Sequence, residues 1–383
     1  MDAPQRRAIL RVLYVTIFLT ATGLGTCTFL LPVYAETLGA TYTQLGLIGA
    51  VGNLVYTVIT LVAGGSLDRF EKIKLYMGFT AFGAIVMILF SYADTIPQII
   101  LVRGLLGAAA ASFWVGASTL TGEISPRQEL TRSLGRYNMA WIIGFTVGPY
   151  LGGLITNSYG YDVFFIASAG VIAVSLGLIL SSIRGSIELK QETVHETRNL
   201  GDLRPLLMSY LTLIPFTMVL GIYMAIIPGH MKTVGLSASL IGLLITITNG
   251  VRGCVFFNVE KLVKWGTWQS VLTASTLLAA AMYLVRNAKT GTQFAIPLIF
   301  YGLGSGIMTP VVLDFISKRT PDKFRGTAMG VHEGIYGVGM CLGPLLGGAI
   351  ADYYSAATLY GLLVLVSLLI LPLGYVMTRE PNP

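Results

Sequence analysis

Two arginines stand inside long apolar stretches of this sequence, Arg103 and Arg252. A charged side chain is costly in such surroundings, so each arginine is a candidate functional group. Arg252 follows Gly242 by about 15 Å of helix, near the middle of a membrane-spanning segment, and Asn249 shares its helical face. A guanidinium can hold a carboxylate or phosphate through two parallel hydrogen bonds. Arg252 therefore predicts an anion-binding site, with a buried structural ion pair as the alternative.

An imidazole and a carboxyl group follow each other in a later apolar segment, as His332 and Glu333. An apolar cavity would raise the pKa of Glu333 by desolvation, into the range where it binds and releases protons. We interpret the two residues as candidates for proton coupling, and a carboxylate in water at the start of the helix is the alternative. For Arg103 the alternative to a functional role is snorkelling to the outer headgroups. Asp314 predicts a surface ion pair with Lys318, one helical turn later.

The composition excludes a soluble domain. The chain has 383 residues, of which 54% are hydrophobic and 11% are charged, and its mean hydropathy is +0.74. A soluble domain of this length carries more charge on its surface. The cysteines, Cys27, Cys254 and Cys341, stand singly in apolar segments without metal-ligand spacing. We expect small buried side chains there, with no disulfide and no metal, and we expect no cofactor.

Twelve apolar segments recur along the chain, each about 18 to 25 residues long and able to cross a bilayer as a helix. We therefore predict an all-α integral membrane protein with twelve transmembrane helices. One long charged stretch, residues 184–204, separates six segments from six. The predicted divisions are an N-terminal half at 1–183, a linker at 184–204 and a C-terminal half at 205–383.

The basic residues predict the orientation of these segments. Most of the 25 Lys and Arg residues fall near the two termini, in the central linker and in alternate loops. Basic loops stay on the cytoplasmic side, so both termini and the linker are predicted to be cytoplasmic in a cell-membrane protein. The same placement accounts for the net charge of +7 without nucleic acid as a partner.

One motif, G-x-x-x-G-P-x-x-G-G, is written twice, at residues 144–153 and 339–348. Small residues let membrane helices touch along their backbones, and proline bends a helix. We interpret both copies as helix pivots, with plain packing as the alternative. The pivot residues are Gly144, Gly148, Pro149, Gly152, Gly339, Gly343, Pro344 and Gly347.

The repeat extends beyond this motif, because Pro32, Thr37, Gly39, Gly46 and Asn53 recur as Pro228, Thr233, Gly235, Gly242 and Asn249. Two parallel six-helix repeats are typical of alternating-access transporters. The repeat also relates Tyr56 to Arg252 and Asn138 to Glu333, which places polar groups at equal depths in both halves. The predicted substrate-binding residues are Arg252, Asn249, Asn53, Tyr56, Asn138, Trp141 and Tyr336.

Further motifs resemble the major facilitator superfamily over the whole chain. Residues 64–74 are similar to its loop signature G-x-x-x-D-R-x-G-R-x-R/K, with Glu71 in place of a glycine, and residues 103–107 resemble its R-x-x-x-G motif. The copy at 144–153 is similar to the motif of twelve-helix drug:proton antiporters. The resemblance implies a proton-transfer role for Arg103. It also implies a cytoplasmic latch, in which Asp68 faces the N-terminus of the eleventh predicted span, the one that holds the second glycine-proline motif. The implied latch residues are Gly64, Asp68, Arg69 and Glu123.

These observations predict a monomeric secondary transporter for a small, neutral or anionic amphipathic molecule, exporting it in exchange for protons. Helix 1 carries no acidic residue between Val12 and Val33, and the two intramembrane arginines favour an anion over a lipophilic cation. An importer or exchanger of small organic anions is the alternative within this class. A membrane-embedded enzyme or a sensor is the alternative from another class, but no G-x-S-x-G or H-E-x-x-H motif supports an enzyme.

Overall fold

The computed structural model describes residues 3–66, 72–182, 205–320 and 325–379. Regular structure in these ranges is helical throughout, which confirms the predicted all-α class. The predicted latch residues Asp68 and Arg69 and the linker at 184–204 lie outside the described residues.

Thirteen α-helices follow one another along the described chain. A single turn of 3-10 helix, Arg127–Glu129, precedes α5. The α-helices are α1 (Ala3–Thr37), α2 (Tyr42–Ser66), α3 (Lys72–Phe90), α4 (Ile96–Ile124), α5 (Leu130–Ser182), α6 (Leu207–Ala225), α7 (Ile227–Thr233), α8 (Ala238–Phe256), α9 (Val259–Trp265), α10 (Thr267–Val285), α11 (Gly291–Arg319), α12 (Arg325–Tyr353) and α13 (Ala356–Arg379).

Helix α5 accounts for two of the predicted spans. It has 53 residues, or about 80 Å at 1.5 Å per residue, which is more than twice the thickness of a bilayer core. Gly160 interrupts it with φ 86° and ψ 175°, a backbone conformation that glycine adopts readily and other residues do not. Eleven described helices are long and apolar enough to cross a membrane, and the break in α5 raises the number of spans to twelve. The predicted twelve-helix fold is confirmed.

The internal repeat is visible in the helix starts. Thr95 before α4 and Thr290 before α11 are separated by the same offset as the two glycine-proline motifs. The backbone N–H of Thr95 donates to Oε1 of Gln98 at 3.1 Å, and that of Thr290 donates to Oε1 of Gln293 at 3.2 Å. Each pair satisfies a backbone donor at a helix N-terminus, so the duplicated residues perform the same local task.

The surface of the helices is apolar where a soluble protein would be polar. Leu54, Leu61 and Val62 of α2 are all more than half exposed, as is Leu365 of α13. Hydroxyl groups are buried instead, for example Ser175, which receives a hydrogen bond from Thr20 at 2.9 Å. Such a distribution suits a lipid solvent. The thiols of Cys27, Cys254 and Cys341 are free, but only Cys27 is buried and Cys254 is exposed, so the expectation of three buried cysteines is wrong.

By its contacts the chain divides into two compact units. Unit 1 comprises Met1–Tyr34, Val55–His195 and Ser237–Thr246, and unit 2 comprises Ala35–Leu54, Glu196–Leu236 and Ile247–Pro383. The first part of α2 thus belongs with helices of the second repeat, and the first part of α8 with helices of the first repeat. The boundaries predicted at the linker stay a prediction.

The motif glycines lie where helices approach most closely. In unit 1, a Cβ on Gly144 would meet the carbonyl oxygen of Phe18 in α1 at 2.7 Å, and one on Gly148 would meet that of Thr22 at 2.8 Å. In unit 2, a Cβ on Gly339 would meet the carbonyl oxygen of Ile214 in α6 at 2.9 Å. Gly343 faces the backbone of Met218 in the same way. Both copies of the motif therefore pack a glycine face against the first helix of their own repeat.

Replacing Gly343 by alanine should lower stability, because the methyl group meets backbone atoms of Met218 that cannot move aside. Overpacking of this kind costs about 1–3 kcal/mol. The measurement is the melting temperature of the purified protein, with Gly170→Ala as the control. Gly170 has open space around it, so alanine there should be neutral or slightly stabilising. Equal melting temperatures for the two variants would contradict the packing role.

Candidate functional site

Arg252 lies closer to one end of its helix than the sequence indicated. Helix α8 ends at Phe256, which places Arg252 only about 6 Å from the end. Arg252 therefore lies nearer the end of its helix than the predicted mid-segment position, because α8 stops at Phe256 and a separate short helix, α9, begins at Val259. Arg252 is half-buried, and its guanidinium carbon lies 5.4 Å from the centre of the Phe256 ring.

The guanidinium of Arg252 retains hydrogen-bonding capacity. One terminal nitrogen reaches Oγ1 of Thr309 in α11 at 3.5 Å, which is the length of a weak contact. Its Nε is buried without a hydrogen-bond partner. Within the described part of the chain no carboxylate pairs with Arg252. An arginine with donors to spare is equipped to accept an anionic group.

Tyrosines surround Arg252 within unit 2. The rings of Tyr223 in α6 and Tyr301 in α11 stack with centroids 4.2 Å apart, and both are buried. The hydroxyl of Tyr223 donates to Oδ1 of Asn249 at 3.4 Å, which fixes Asn249 one turn before Arg252. Tyr336 of α12 lies within electrostatic range of Arg252. The residues Arg252, Asn249, Thr309, Tyr223, Tyr301 and Tyr336 are named the arginine cluster below.

His332 and Glu333 form a pair next to this cluster. Nδ1 of His332 lies 3.2 Å from Oε1 of Glu333, and the side chain of His332 is 6% exposed against 50% for Glu333. The ring centroid of His332 lies 5.8 Å from that of Tyr336, and Tyr336 is also within electrostatic range of Glu333. Tyr336 thus links the predicted coupling pair to Arg252. The expectation of a desolvated carboxyl group required apolar side chains around Glu333. Half of the Glu333 side chain is exposed instead.

In unit 1 the predicted residues Asn138 and Trp141 join an aromatic cluster. Nε1 of Trp141 donates to Oδ1 of Asn138 at 3.0 Å. The Trp141 ring makes edge contacts with Phe145 at 5.9 Å and with Trp114 at 6.4 Å between centroids. Trp114 comes from α4 and completes a patch that is partly exposed. Such a patch can hold the apolar part of an amphipathic molecule.

The two predicted residues of α2 lie in different units. Nδ2 of Asn53 donates to the main-chain carbonyl of Met340 in α12 at 2.9 Å, so this amide joins two helices within unit 2. Tyr56 belongs to unit 1, where it is half-buried and makes contacts of its own.

Arg103 is enclosed rather than extended toward headgroups. It is 9% exposed in α4, and the thiol of Cys27 in α1 lies within its electrostatic range. Of the predicted latch, the structure describes the backbone of Gly64 in the last turn of α2 and an exposed Glu123 at the end of α4. Asp314 and Lys318 form the predicted surface pair at 2.7 Å, which is confirmed.

Several residues of these clusters were not found from the sequence. Trp114, Thr309, Tyr223 and Tyr301 come from helices distant along the chain, and periodicity does not show which faces meet. A tyrosine or tryptophan in the interior of a spanning segment is the signal that could have found three of them, since its polar group needs a partner there. Among the described residues, no group of three or more metal-ligating side chains comes together.

Comparison with known sequences gives one family. The sequence model of the Major Facilitator Superfamily matches residues 13–331 and 209–383. An uncharacterized MFS-type transporter of Methanocaldococcus jannaschii is 24% identical, over 95% of this chain and 96% of its own. The quinolone resistance protein NorA of Staphylococcus aureus is 24% identical, with 91% of each chain covered. The multidrug resistance protein MdtG of Enterobacter lignolyticus is also 24% identical, with 92% and 88% covered.

Solved structures share the fold at low sequence identity. The nucleoside transporter NupG superposes with a TM-score of 0.83 at 15% identity, covering 97% of this chain and 100% of its own. A bacterial homolog of the human lysosomal transporter Spinster superposes with a TM-score of 0.80 at 13% identity, covering 99% and 98%. Both similarities show a shared fold only, because identities this low carry no information on substrate.

Proposed function

Since the chain belongs to the Major Facilitator Superfamily, and is therefore a membrane transporter and not an enzyme, we propose that it exports a neutral or anionic amphipathic molecule in exchange for protons. Transport proceeds by alternating access, in which contacts on one side of the membrane open while those on the other side close. The polypeptide works as a monomer in the cell membrane, with both termini and the linker at 184–204 in the cytoplasm.

The arginine cluster supports the proposed substrate charge. Arg252 keeps a buried Nε without a partner, makes a weak contact to Thr309 and is hydrogen-bonded to Tyr336. Asn249, whose Oδ1 accepts from Tyr223, lies on the same helical face. A carboxylate or phosphate seated here would receive two parallel hydrogen bonds from one planar group. The unpartnered Nε of Arg252 is the observation that carries the proposal, and an aromatic patch such as Trp114 with Trp141 suits the apolar part of the molecule.

The pair His332–Glu333 supports coupling to protons. Tyr336 lies beside both Glu333 and Arg252, so a negative substrate charge at Arg252 and a proton on the pair influence each other electrostatically. An anion at Arg252 favours protonation of Glu333, and its departure favours release. Arg103 is the second candidate for proton transfer, since it is a cation enclosed within a spanning helix, next to the thiol of Cys27.

The relatives support export over import. The names of NorA and MdtG describe resistance to quinolones and to several drugs, and resistance of this kind suits removal of amphipathic compounds from the cell. The unpartnered Nε of Arg252 serves an importer or exchanger of small organic anions equally well, which is the second candidate function. On the cytoplasmic side we propose that Gly64, Asp68, Arg69 and Glu123 form a latch, and that the motif glycines act as pivots.

Purified protein in liposomes tests the proposed function directly. The liposomes contain a pH-sensitive dye and receive matched aromatic carboxylates, their methyl esters and the corresponding quaternary amines. We expect proton movement with the carboxylates or the esters, and none in liposomes without protein. Movement with the quaternary amines alone would contradict the proposed substrate class. Carboxylate uptake without any change in lumenal pH would favour the exchanger.

Replacing Arg252 separates substrate binding from a structural role. Arg252→Lys keeps the charge but loses the planar fork, so carboxylate affinity should fall. Arg252→Ala should lose more, on the order of 2 kcal/mol, with an unchanged melting temperature because no described carboxylate depends on it. The control is Arg286→Ala, an exposed arginine at the C-terminal end of α10. A lowered melting temperature with intact binding would assign Arg252 to the scaffold instead.

Glu333→Gln removes the titratable carboxyl group of the pair and keeps the shape of the side chain. We expect loss of proton-driven accumulation, while exchange of labelled for unlabelled substrate continues. Asp314→Asn is the matched control, since it neutralises a partly exposed carboxylate of α11 that pairs with Lys318 one turn later on the same helix. If Glu333→Gln still accumulates substrate against a gradient, the coupling proton binds elsewhere, with Arg103 next to be tested.

A further inference from the structure

Helices α2 and α12 meet along four levels within unit 2. At the first level Tyr42 and Thr43 face Asp352, and at the second a Cβ on Gly348 would collide with the carbonyl of Tyr42. At the next level Gly46 faces the carbonyl of Pro344, and at the last Asn53 donates to the carbonyl of Met340. The residues of α12 recur every four positions, and in α2 Gly46 follows Tyr42 by four positions and Asn53 follows Gly46 by seven, so one face of each antiparallel helix is used. These levels are named the α2–α12 seam.

Asp352 closes the end of this seam with a carboxylate. Its Oδ1 accepts the backbone N–H of Tyr42 at 2.9 Å, and its Oδ2 accepts that of Thr43 at 2.7 Å. Both donors belong to the first turn of α2, where N–H groups lack partners inside the helix. The N–H of Gln44, in the same turn, donates to Oγ1 of Thr41 at 3.3 Å. A carboxylate at a helix N-terminus is stabilised by the hydrogen bonds and by the helix dipole together.

A second contact ties the same turn of α2 to α7. The hydroxyl of Tyr42 lies 2.7 Å from Nδ1 of His230. His230 is buried, and the rings of Phe294 and Tyr360 lie 6.0 Å and 5.3 Å from it. The ring is thus held in place by aromatic neighbours and presents Nδ1 to Tyr42. Two groups of the second repeat, Asp352 and His230, therefore grip the start of a helix from the first repeat.

The equivalent seam in unit 1 lacks this closure. There a Cβ on Gly153 would meet the carbonyl of Ala238, and Gly242 faces the carbonyl of Pro149, which repeats the glycine levels of the first seam. Asn157 stands at the repeat position of Asp352. The start of α8 is instead served by its own Ser237, whose Oγ accepts the N–H of Leu240 at 3.3 Å. The packing is duplicated, but the carboxylate is present in one copy only.

We propose that Asp352, with Tyr42 and His230, is a latch that joins the two repeats on the side opposite the basic loops. The proposal rests on the alternating access proposed above, because the seam must separate when that side opens. While the seam is closed, Asp352 satisfies two backbone donors of α2. When it opens, water must replace both bonds, so the carboxylate sets how often the seam separates. The repeat position in unit 1 has no charge to perform this task.

Accessibility of a cysteine inside the seam tests the latch. The natural cysteines are replaced (Cys27→Ala, Cys254→Ser, Cys341→Ala), and Ala50→Cys is introduced in α2, one turn after Gly46 of the seam. Ala50 is 4% exposed and lies two turns beyond the capped end. The protein is placed in nanodiscs, where a membrane-impermeant maleimide reaches both faces, and the labelling rate is measured without any substrate.

Asp352→Asn should raise the labelling rate at position 50 about fivefold, the size expected from one helix-end charge interaction. Tyr42→Phe should raise it less, and serves as the second variant if Asp352→Asn does not fold. Asp162→Asn, an exposed carboxylate in α5, is the matched control and should leave the rate unchanged. A lowered melting temperature with unchanged labelling would make Asp352 a helix cap only and overturn the latch. Because labelling needs no transport, a protein that fails to move protons or carboxylates in liposomes can still pass or fail this test.

Discussion

Contact between helix backbones at glycine is the constraint on which the rest of the structure depends. In lipid, hydrophobic burial does not hold one helix against another, so close packing has to do so. Gly148 and Gly343 place their own turns against α1 and α6, while Pro149 and Pro344 on the adjoining face offer carbonyls to Gly242 and Gly46. Each motif helix therefore has two tightly packed faces. A side chain on either face would separate helices and displace every polar group that they position.

The two arginines inside the apolar segments show how helix packing determines the surroundings of a charge. Arg103 is enclosed next to the thiol of Cys27, a neighbour that does not neutralise a cation. Arg252 is half-buried near a helix end, with Phe256 against its face and Thr309 at the limit of hydrogen bonding. A buried charge without a partner is costly, so the fold must hold each in place by other means. At Arg252 this support comes from the stacked rings of Tyr223 and Tyr301 and from the hydrogen bond that Tyr223 donates to Asn249.

Much of the fold could be predicted from the sequence, because hydrophobic length and the repeated glycines are local signals. The twelve spans and the pair Asp314–Lys318 depend only on residues near one another in the chain. The position of Arg252 near a helix end could not be predicted, since no glycine or proline marks the break between α8, which ends at Phe256, and α9, which begins at Val259. The exposure of Glu333 depends on which face of α12 meets a neighbour.

The two repeats have kept their packing residues and differ in their polar ones. Gly46 and Gly242, or Pro149 and Pro344, occupy matching positions and make matching contacts. The polar positions differ between the repeats: Arg252 corresponds to Tyr56, Glu333 to Asn138 and Asp352 to Asn157. Packing needs both copies, because each seam must be close for its helices to stay together in lipid. A charge is needed only once, since a second charge of the same sign would repel the first. The duplicated scaffold thus supplies symmetric contacts, and the polar residues that would bind, couple and latch are found in one copy of each pair.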